Sequence, residues 1–210
     1  MIAILPIRKN SKRLINKNIK KINNKPLYQY ILDTLIKSRK IKKIIISTDY
    51  NLKIKKNKKI NILSRPKNLR GNCNMNLVIK HVLDNVDGDH FLQTHATSPL
   101  LKYVTLDSAI KYYFSQKIFD SVFSVTNTKK RLWSFKNKPL NHNINHSPTT
   151  QNLKPIYEEN SGFYIFSRES FFKKKNRIGN RPKLFEINKI EAIDIDDVHD
   201  FEIVNKILKK

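Results

Sequence analysis

Apolar runs and amphipathic stretches alternate along most of this chain. Short apolar runs, which are typical of buried strands, occupy residues 2–6, 44–46, 60–63, 91–93, 119–126, 162–167 and 190–195. Apolar side chains recur at helical spacing in residues 26–38, 75–86, 102–115 and 198–209. Strands separated by helices of this length form βαβ units with right-handed crossovers. The pattern therefore predicts an α/β, Rossmann-like fold, in which helices flank a mostly parallel sheet.

Residues 128–155 interrupt this alternation. The segment contains Trp133, Pro139, Pro148, Pro155 and many asparagines, and its hydrophobic positions follow neither the strand nor the helix period. The rest of the chain shows neither an internal repeat nor a linker. We therefore expect one domain over residues 1–210, with an inserted arm at about 128–155.

The chain is strongly basic, with 42 Lys and Arg against 17 Asp and Glu and a formal net charge of +25. Such a charge is common in nucleic-acid-binding proteins. However, 33 of the cations are lysines, and the chain also has 24 asparagines and 28 isoleucines, which favours a bias towards residues with A/T-rich codons. Both interpretations stay open, and under either one the electrostatic field favours anionic ligands such as nucleotides. We expect no specific nucleic-acid partner.

Simple counts exclude several classes of protein. No apolar run reaches the length of about 18 residues that a membrane-spanning helix needs. The apolar stretch before Arg8 is too short for the core of a signal peptide. The single cysteine, Cys73, excludes an internal disulfide and a cysteine-rich zinc site. We therefore expect a cytoplasmic protein that does not bind membranes.

A cluster of cations follows the first predicted strand, where ligands bind in an open parallel sheet. The loop mixes positive side chains with serine and asparagine: Arg8, Asn10, Ser11, Lys12, Arg13, Lys17 and Asn18. Ammonium, guanidinium, hydroxyl and backbone N–H groups together can surround a polyphosphate. A solvated basic loop without a ligand is the alternative. Neither GxGxxG nor GxxxxGK[ST] occurs, so the chain has no Rossmann dinucleotide fingerprint and no Walker loop.

An acidic run near the C-terminus suggests a metal site. In EAIDIDDVHD, Asp194 and Asp196 would share one face of the strand predicted at 190–195. Mg²⁺ prefers such carboxylate oxygens and often shares them with substrate phosphates. The alternative is that these aspartates cap the last helix, a role that Asp197 alone could fill.

Several stretches, in order, resemble the CMP-sugar synthetases. The first, IAILPIRKNSKRLINKNI, is similar to that family's opening motif, IPARxGSKRLPxKN. The others are NKPLYQYILDTL, IIISTD, SRPKNL, LQTHATSPLL, YEENSGFYIF and EAIDIDD. The resemblance covers nearly the whole chain and is strongest to the acylneuraminate cytidylyltransferases, whereas the cytidylyltransferase for 3-deoxy-manno-octulosonic acid is more distant. It implies a fold of the nucleotide-diphospho-sugar transferase type.

The resemblance also implies a reaction, in which CTP and a 2-keto-3-deoxy sugar acid give a CMP-sugar and pyrophosphate. It implies Mg²⁺, for which Mn²⁺ can substitute, and a homodimer formed through the arm. The implied triphosphate contacts are Arg8, Ser11, Lys12 and Lys17, with Asn18 beside them; the cytidine positions are Arg65 and Asn76; the sugar positions are Gln93 and Asn160; the metal ligands are Asp194 and Asp196. Of these, Arg8, Lys17 and Asp196 are the implied catalytic residues.

The chain departs from the family pattern in two places. The family usually has glycine where this chain has Lys9 or Asn10, and again where it has Asn24. Asparagine tolerates a left-handed backbone better than most residues. Thr150 and Glu158 stand where sialic acid enzymes have arginines, with Lys154 nearby as a substitute. We therefore expect a related nonulosonic acid rather than sialic acid itself. The alternatives are an octulosonate enzyme and a non-catalytic homologue that binds nucleotides or nucleic acid.

Overall fold

A computed structural model describes residues 1–9, 11, 13–115, 118–146 and 149–209. The first part of the chain folds largely as the hydrophobic pattern predicts. Its elements are β1 (Ile2–Ile7), a 3₁₀ turn (Lys17–Ile19), β2 (Lys21–Ile22), β3 (Lys25–Pro26), α1 (Leu27–Lys37), β4 (Lys43–Thr48), β5 (Ile60–Ser64) and α2 (Met75–Asn85).

The second part contains the predicted strands and helices and several further elements. They are β6 (His90–Thr94), α3 (Tyr103–Ser115), β7 (Ser121–Thr128), β8 (Ile156–Ser167), α4 (Arg168–Lys174), β9 (Pro182–Glu186) and α5 (Val198–Leu208). Among the described residues, α5 and the other helices are all too short or too polar to cross a membrane.

The main sheet formed by the described residues has seven strands in the order β5-β4-β1-β6-β8-β7-β9. In the part of the sheet ordered β5-β4-β1-β6, each strand is parallel to its neighbours. The strands β7 and β9 are also parallel to each other. The strand β8 is antiparallel to both of its neighbours, β6 and β7. The predicted α/β fold with a mostly parallel sheet is therefore confirmed.

Both faces of this sheet are covered by helices. In β1, Ala3, Leu5 and Ile7 belong to the core cluster that contains buried residues of α1 and α3. The alternate residue Ile4 belongs to the cluster that contains those of α2 and Phe171 of α4. Since successive side chains of a strand point to opposite faces, a fully apolar run such as β1 suits a sheet that is buried on both sides.

The predicted strand at residues 190–195 is wrong. This segment forms a turn and then an extended stretch, in which the Ile195 N–H donates to the Thr97 carbonyl at 2.9 Å. The sheet edge beside β7 is occupied by β9 instead. Ile195 is nevertheless fully buried, in a small cluster with α5, so the apolar alternation reflects contact with the core and not strand pairing.

The strand β8 begins at Ile156, six residues before the predicted start, and carries a bulge. The pair Phe123–Tyr164 is followed along β7 by the pair Val125–Glu159, so residues 160–163 are displaced from the regular ladder. A Cβ on Gly162 would lie 3.0 Å from Ser124 Oγ, and Ser161 has a left-handed φ of 58°. Bulges of this kind redirect side chains near active sites, and this one presents Asn160 and Ser161 at the carboxyl end of β6.

The segment predicted as an arm contains little regular structure. Its described residues form short 3₁₀ turns, Ile144–His146 and Thr150–Asn152, and a bridge between Trp133 and Pro139. Trp133, Phe135 and Leu140 are exposed, Phe135 to 91%. The loop therefore presents apolar side chains to solvent.

Candidate active site

Two cavities lie beyond the carboxyl ends of the central strands. The first cavity, of about 250 Å³, is lined by residues from the loop after β1, by Arg65 after β5 and by His95 after β6. The second cavity, of about 520 Å³, lies against β7 and β8 and is lined by Glu158 and Asn160. Both cavities are also lined by Ser161, Asp194 and Asp196. The two cavities therefore meet at this carboxylate pair.

The loop after β1 forms a cationic wall of the first cavity. Arg8, Ser11, Lys17 and Asn18 all line it. The Ser11 hydroxyl accepts from the Lys17 N–H at 3.0 Å, and the Asn18 side-chain amide donates to the Arg8 carbonyl at 2.9 Å. These bonds fold the loop back on itself, so that Arg8 and Lys17 both face the first cavity. The predicted phosphate contact Lys12 lies outside the described residues.

Lys17 is the most buried cation of this wall, with 8% of its surface exposed. Its ammonium group donates to the Ile195 carbonyl and lies 3.3 Å from Asp196 Oδ1. The exposed Arg13 guanidinium lies 2.8 Å from the same carboxylate oxygen. The loop after β1 and the acidic run are therefore held together by charge at the mouth of the cavity.

Arg65 is a buried cation with an unused donor. Only 2% of its surface is exposed, and its Nε donates to the Ser47 carbonyl and hydroxyl at 3.2 and 3.1 Å. No partner for its Nη2 is found among the described residues. Burial lowers the pKa of the guanidinium, and Asp49 opposes that shift. Because an unpaired buried donor is costly, a ligand acceptor in the first cavity would stabilise this arrangement.

Asp194 and Asp196 face the cavities from the extended stretch, although no strand holds them. Burial, together with the nearby Asp196 charge, raises the pKa of Asp194 to about 6, against a hydrogen bond from Thr97. Among the described residues, no partner is found for the buried Asp194 Oδ1. An unpaired carboxylate oxygen beside a second carboxylate fits a divalent cation. The described residues contain no set of three or more such ligands, so these two would be completed by substrate and water.

Residues 2–207 match the family model described as Cytidylyltransferase. The chain belongs to the cytidylyltransferase family. It is similar to the N-acylneuraminate cytidylyltransferase of Escherichia coli, with 28% identity over 221 residues that cover 100% of this chain and 52% of that protein. It therefore spans about half the length of that relative. It is also similar to the CMP-N,N'-diacetyllegionaminic acid synthase of Legionella pneumophila, with 24% identity, covering 100% of this chain and 96% of that protein.

The fold is shared with a solved structure of CMP:2-keto-3-deoxy-manno-octonic acid synthetase complexed with CTP. The TM-score is 0.70 and the identity 11%, and the match covers 99% of this chain and 98% of that one. This likeness confirms the nucleotidyltransferase type of fold that the motifs of the sequence imply. The roles of individual residues in this cytidylyltransferase stay predictions.

The predicted ligand residues Asn76 and Gln93 are not among the residues that line the first cavity, whereas Asn160 lines the second. The Asn76 side chain accepts from the Arg177 N–H at 3.3 Å. Gln93 is fully buried, and its Oε1 accepts from Arg177 Nη1 at 2.6 Å. Asn160 lines the second cavity, where its Oδ1 accepts from the Ser124 hydroxyl at 2.6 Å and its Nδ2 has no partner among the described residues. Thus Asn160 offers a free donor, while Asn76 and Gln93 hold Arg177.

Sequence reasoning missed two residues of the first cavity, His95 and Arg177. Burial and the Arg177 charge lower the pKa of His95 to about 3, so its imidazole is neutral. Arg177 lies in the loop after α4, which the hydrophobic pattern did not identify as part of the site. His95 directly follows the predicted strand end at Gln93 and Thr94, which is a usable signal. Arg177 stands among lysines in KKKNRIGN and carries no such signal.

Proposed function

We propose that this chain is a cytidylyltransferase that activates a 2-keto-3-deoxy sugar acid, of the sialic-acid-like nonulosonic type, with CTP. The products are a CMP-sugar and pyrophosphate. The observation that carries the proposal is the meeting of two cavities at Asp194 and Asp196, with cations on the wall of the first. CTP would occupy the first cavity and the sugar acid the second.

The reaction is a displacement at phosphorus. The anomeric hydroxyl oxygen of the sugar forms a bond to the α-phosphorus of CTP and gives its proton to solvent water. The bond from that phosphorus to the bridging oxygen breaks, and pyrophosphate leaves. Phosphoryl transfer is catalysed mainly by positioning and charge stabilisation. Arg8 and Lys17 would stabilise the charge that develops on the phosphate oxygens. Ser11 and Asn18 would keep those cations in place through their bonds within the loop.

Asp194 and Asp196 would hold Mg²⁺, or Mn²⁺ in its place, on the side facing the cationic wall. The cation, when bound, neutralises triphosphate charge and acts as a Lewis acid. Two carboxylates facing a polyanion would otherwise repel it, which is why this pair suits a metal-dependent enzyme.

The sugar acid is proposed to differ from sialic acid. Glu158 lines the second cavity, whereas Lys154 is exposed and is not among its lining residues. A glutamate facing the substrate carboxylate would repel it, so N-acetylneuraminate should be a poor substrate. We further propose one cytidylyltransferase domain that acts in the cytoplasm as a homodimer, a state that the exposed Trp133 and Phe135 of the arm support.

The test is pyrophosphate release from CTP and Mg²⁺ with a panel of N,N'-diacetyllegionaminic acid, N-acetylneuraminic acid and 3-deoxy-manno-octulosonic acid. Lys17→Met should lower kcat/KM at least ~10²-fold, because one preorganised charge at the transition state contributes roughly 3 kcal/mol. Lys21→Met, at an exposed lysine of β2, is the matched control and should leave turnover unchanged. Turnover of no acid in the panel, or a Lys17→Met enzyme as active as the wild type, would contradict the proposal.

A further inference from the structure

The partly buried Arg177 guanidinium has no role in the mechanism above, yet it lines the first cavity. Four contacts hold this residue. The guanidinium carbon lies 3.5 Å from the ring centroid of Tyr164, and Nη1 donates to Gln93 Oε1 at 2.6 Å and lies 3.5 Å from His95 Nε2. The backbone N–H donates to Asn76 Oδ1 at 3.3 Å. The Gln93 amide is itself fixed, because its Nε2 donates to the Thr94 carbonyl at 2.8 Å. The guanidinium is therefore rigidly positioned before any ligand arrives.

All four of these contacts are made to neutral groups, since the low pKa of His95, about 3, leaves its imidazole uncharged. No carboxylate lies within ion-pair distance of Arg177 among the described residues. The charge of Glu159 acts on Arg177 from beyond that distance, and the Glu159 carboxylate accepts a hydrogen bond from the Tyr164 hydroxyl. Burial lowers the pKa of Arg177, and Tyr164 and Glu159 oppose that shift. A desolvated arginine without an acid partner is suited to bind an anionic group of a ligand.

The position of Arg177 in the sheet indicates which ligand that is. It contacts Gln93 of β6 and Tyr164 of β8, whereas the cationic wall follows β1. The strand β8 lies two positions from β1 in the sheet, which is a separation of roughly 10 Å. The Tyr164 hydroxyl also lies 3.3 Å from Ser161 Oγ, at the junction of the two cavities. Arg177 is thus on the side of the first cavity that adjoins the second.

The second cavity itself offers little fixed positive charge. Its lining includes five carboxylates, Glu158, Glu159, Asp194, Asp196 and Asp200, and the two lysines there, Lys130 and Lys189, are exposed. An anionic sugar acid therefore needs a cation from beyond this lining. A flexible exposed lysine is a weaker anchor than a guanidinium whose geometry is already fixed.

We propose that Arg177 binds the carboxylate of the sugar acid, at the junction of the two cavities, and thereby selects 2-keto acids over neutral sugars. Gln93 then acts through Arg177 as a positioning residue. The inference rests on the proposed function, because it assigns a contact to the second substrate of that reaction. A planar guanidinium can donate two parallel hydrogen bonds to a carboxylate, and the proposal leaves the triphosphate to the wall after β1.

The experiment measures equilibrium binding and does not require turnover. Saturation-transfer NMR or calorimetry gives Kd for each of the three acids of the panel and for their carboxamides, with the full chain, and calorimetry gives Kd for CTP with Mg²⁺. Arg177→Met should weaken binding of an acid at least ~10-fold, because a charged hydrogen bond is lost, and should change Kd for CTP less than twofold. Arg177→Lys keeps the positive charge but not the paired N–H donors of the guanidinium, so it should recover part of the lost affinity for the acid.

Two controls separate a binding role from a structural one. Arg181→Met removes an exposed arginine four residues further along the same loop and should change neither Kd. The carboxamides should bind weakly and equally to wild type and Arg177→Met, since the lost contact is to the carboxylate.

Arg177→Met with wild-type affinity for the acids, equal weakening for CTP and acid, or no acid binding by the wild type would overturn the inference. Equal weakening would make Arg177 a phosphate contact instead. Acid binding that depends on Arg177, without any pyrophosphate release, would refute the proposed function alone.

Discussion

Two adjacent carboxylates of the acidic run, Asp196 and Asp197, point in different directions. Asp197 is the N-cap of α5: its side chain accepts from the Asp200 N–H, and the Asp200 side chain accepts from the Asp197 N–H. This capping box confirms the role that the sequence allowed for Asp197. Asp196 turns the other way, towards Lys17 and both cavities. The two neighbours therefore differ in surroundings: Asp197 caps the helix, and Asp196 lines both cavities.

This division predicts different outcomes for two isosteric substitutions. Asp196→Asn should lower turnover strongly at limiting Mg²⁺, because it removes a charge that would face the cation. It should lower the melting temperature far less in comparison, since the isostere keeps the packing and only the partly exposed ion pairs with Arg13 and Lys17 are lost. Asp197→Asn should retain turnover, since asparagine is as good an N-cap as aspartate. Metal titrations of both variants, each with a thermal melt, make the comparison. Equal losses in the two variants would mean that the whole run is structural.

His95 should make the stability of the protein depend on pH. Burial lowers its pKa most, the cations Arg177, Lys17 and Arg8 lower it further, and Asp196 opposes the shift, so that the folded pKa is about 3 against an ordinary 6.5. The unfolded chain takes up this proton as pH falls below 6.5, whereas the folded protein does not until about 3. Stability from this site is therefore complete above 6.5 and is lost as pH falls.

Replacing His95 should flatten that dependence. Between pH 7.5 and 5, the free energy of unfolding of the wild type should fall by about 1 to 2 kcal/mol more than that of His95→Asn. Urea titrations of both proteins at the two pH values measure the difference. Parallel losses in wild type and variant would mean that His95 titrates normally in the folded state.

Most of the predicted site residues lie close to strand ends. Arg8 and Lys17 follow β1 and Gln93 lies in β6, and a parallel sheet brings such ends to one edge. Asp194 and Asp196 reach the same place without a strand, because the buried Ile195 between them turns both carboxylates outward. Arg177 depends on a long-range contact with Gln93 across 84 positions of sequence. Neither local period nor composition encodes such a contact.

At the scale of elements, the β2–β3 hairpin was not predicted, although its turn explains an unusual residue. Asn23 and Asn24 join the strands with φ of 48° and 61°. A two-residue hairpin turn with both φ values positive favours asparagine and glycine, so Asn24 replaces the glycine common in the family at small cost. The strands have only two residues each, too few for alternation to show in the sequence. The start of β8 was hidden for another reason, since it is mostly polar and shows no apolar run.

The hairpin turn allows a test of backbone conformation. Asn24→Ala should lower the free energy of unfolding by about 1 kcal/mol, because a Cβ disfavours the left-handed region, and Asn24→Gly should not lower it. Asn51→Ala is the matched control, since Asn51 is exposed and its φ is not positive. Chemical denaturation of the three variants measures the differences. An Asn24→Ala protein as stable as Asn51→Ala would place Asn24 outside the left-handed region in solution.

At the scale of the whole molecule, the excess charge cannot be neutralised within the chain. With 42 Lys and Arg against 17 Asp and Glu, the carboxylates are too few to balance the positive charge. The described aromatic pairs Phe91–Phe166 and Phe123–Tyr164 stack in the core and offer no platform for bases. Exposed aromatics lie beside lysines in more than one place: Trp133 and Phe135 of the arm are close in sequence to four lysines, Lys129, Lys130, Lys136 and Lys138, and Phe172 directly precedes Lys173. The aromatics of the arm are the more exposed, Trp133 to 53% and Phe135 to 91% against 39% for Phe172. A dedicated nucleic-acid site would therefore be expected on the arm.

If the net charge reflects codon bias, binding to DNA should be a general electrostatic effect. Binding to a random duplex should be independent of sequence, with a Kd at physiological salt no tighter than about 1 μM, and it should weaken steeply as salt rises, because the affinity comes from released counterions. Replacing Trp133 and Phe135 by alanine should leave it unchanged, since a diffuse field does not need stacking. Fluorescence anisotropy across a salt series, with random and fixed sequences, measures the affinity, its sequence dependence and its salt dependence for the wild type and the variant. Nanomolar, sequence-selective binding that disappears with those two aromatics would instead identify the arm as a nucleic-acid site, and the charge would then have a function that CTP does not explain.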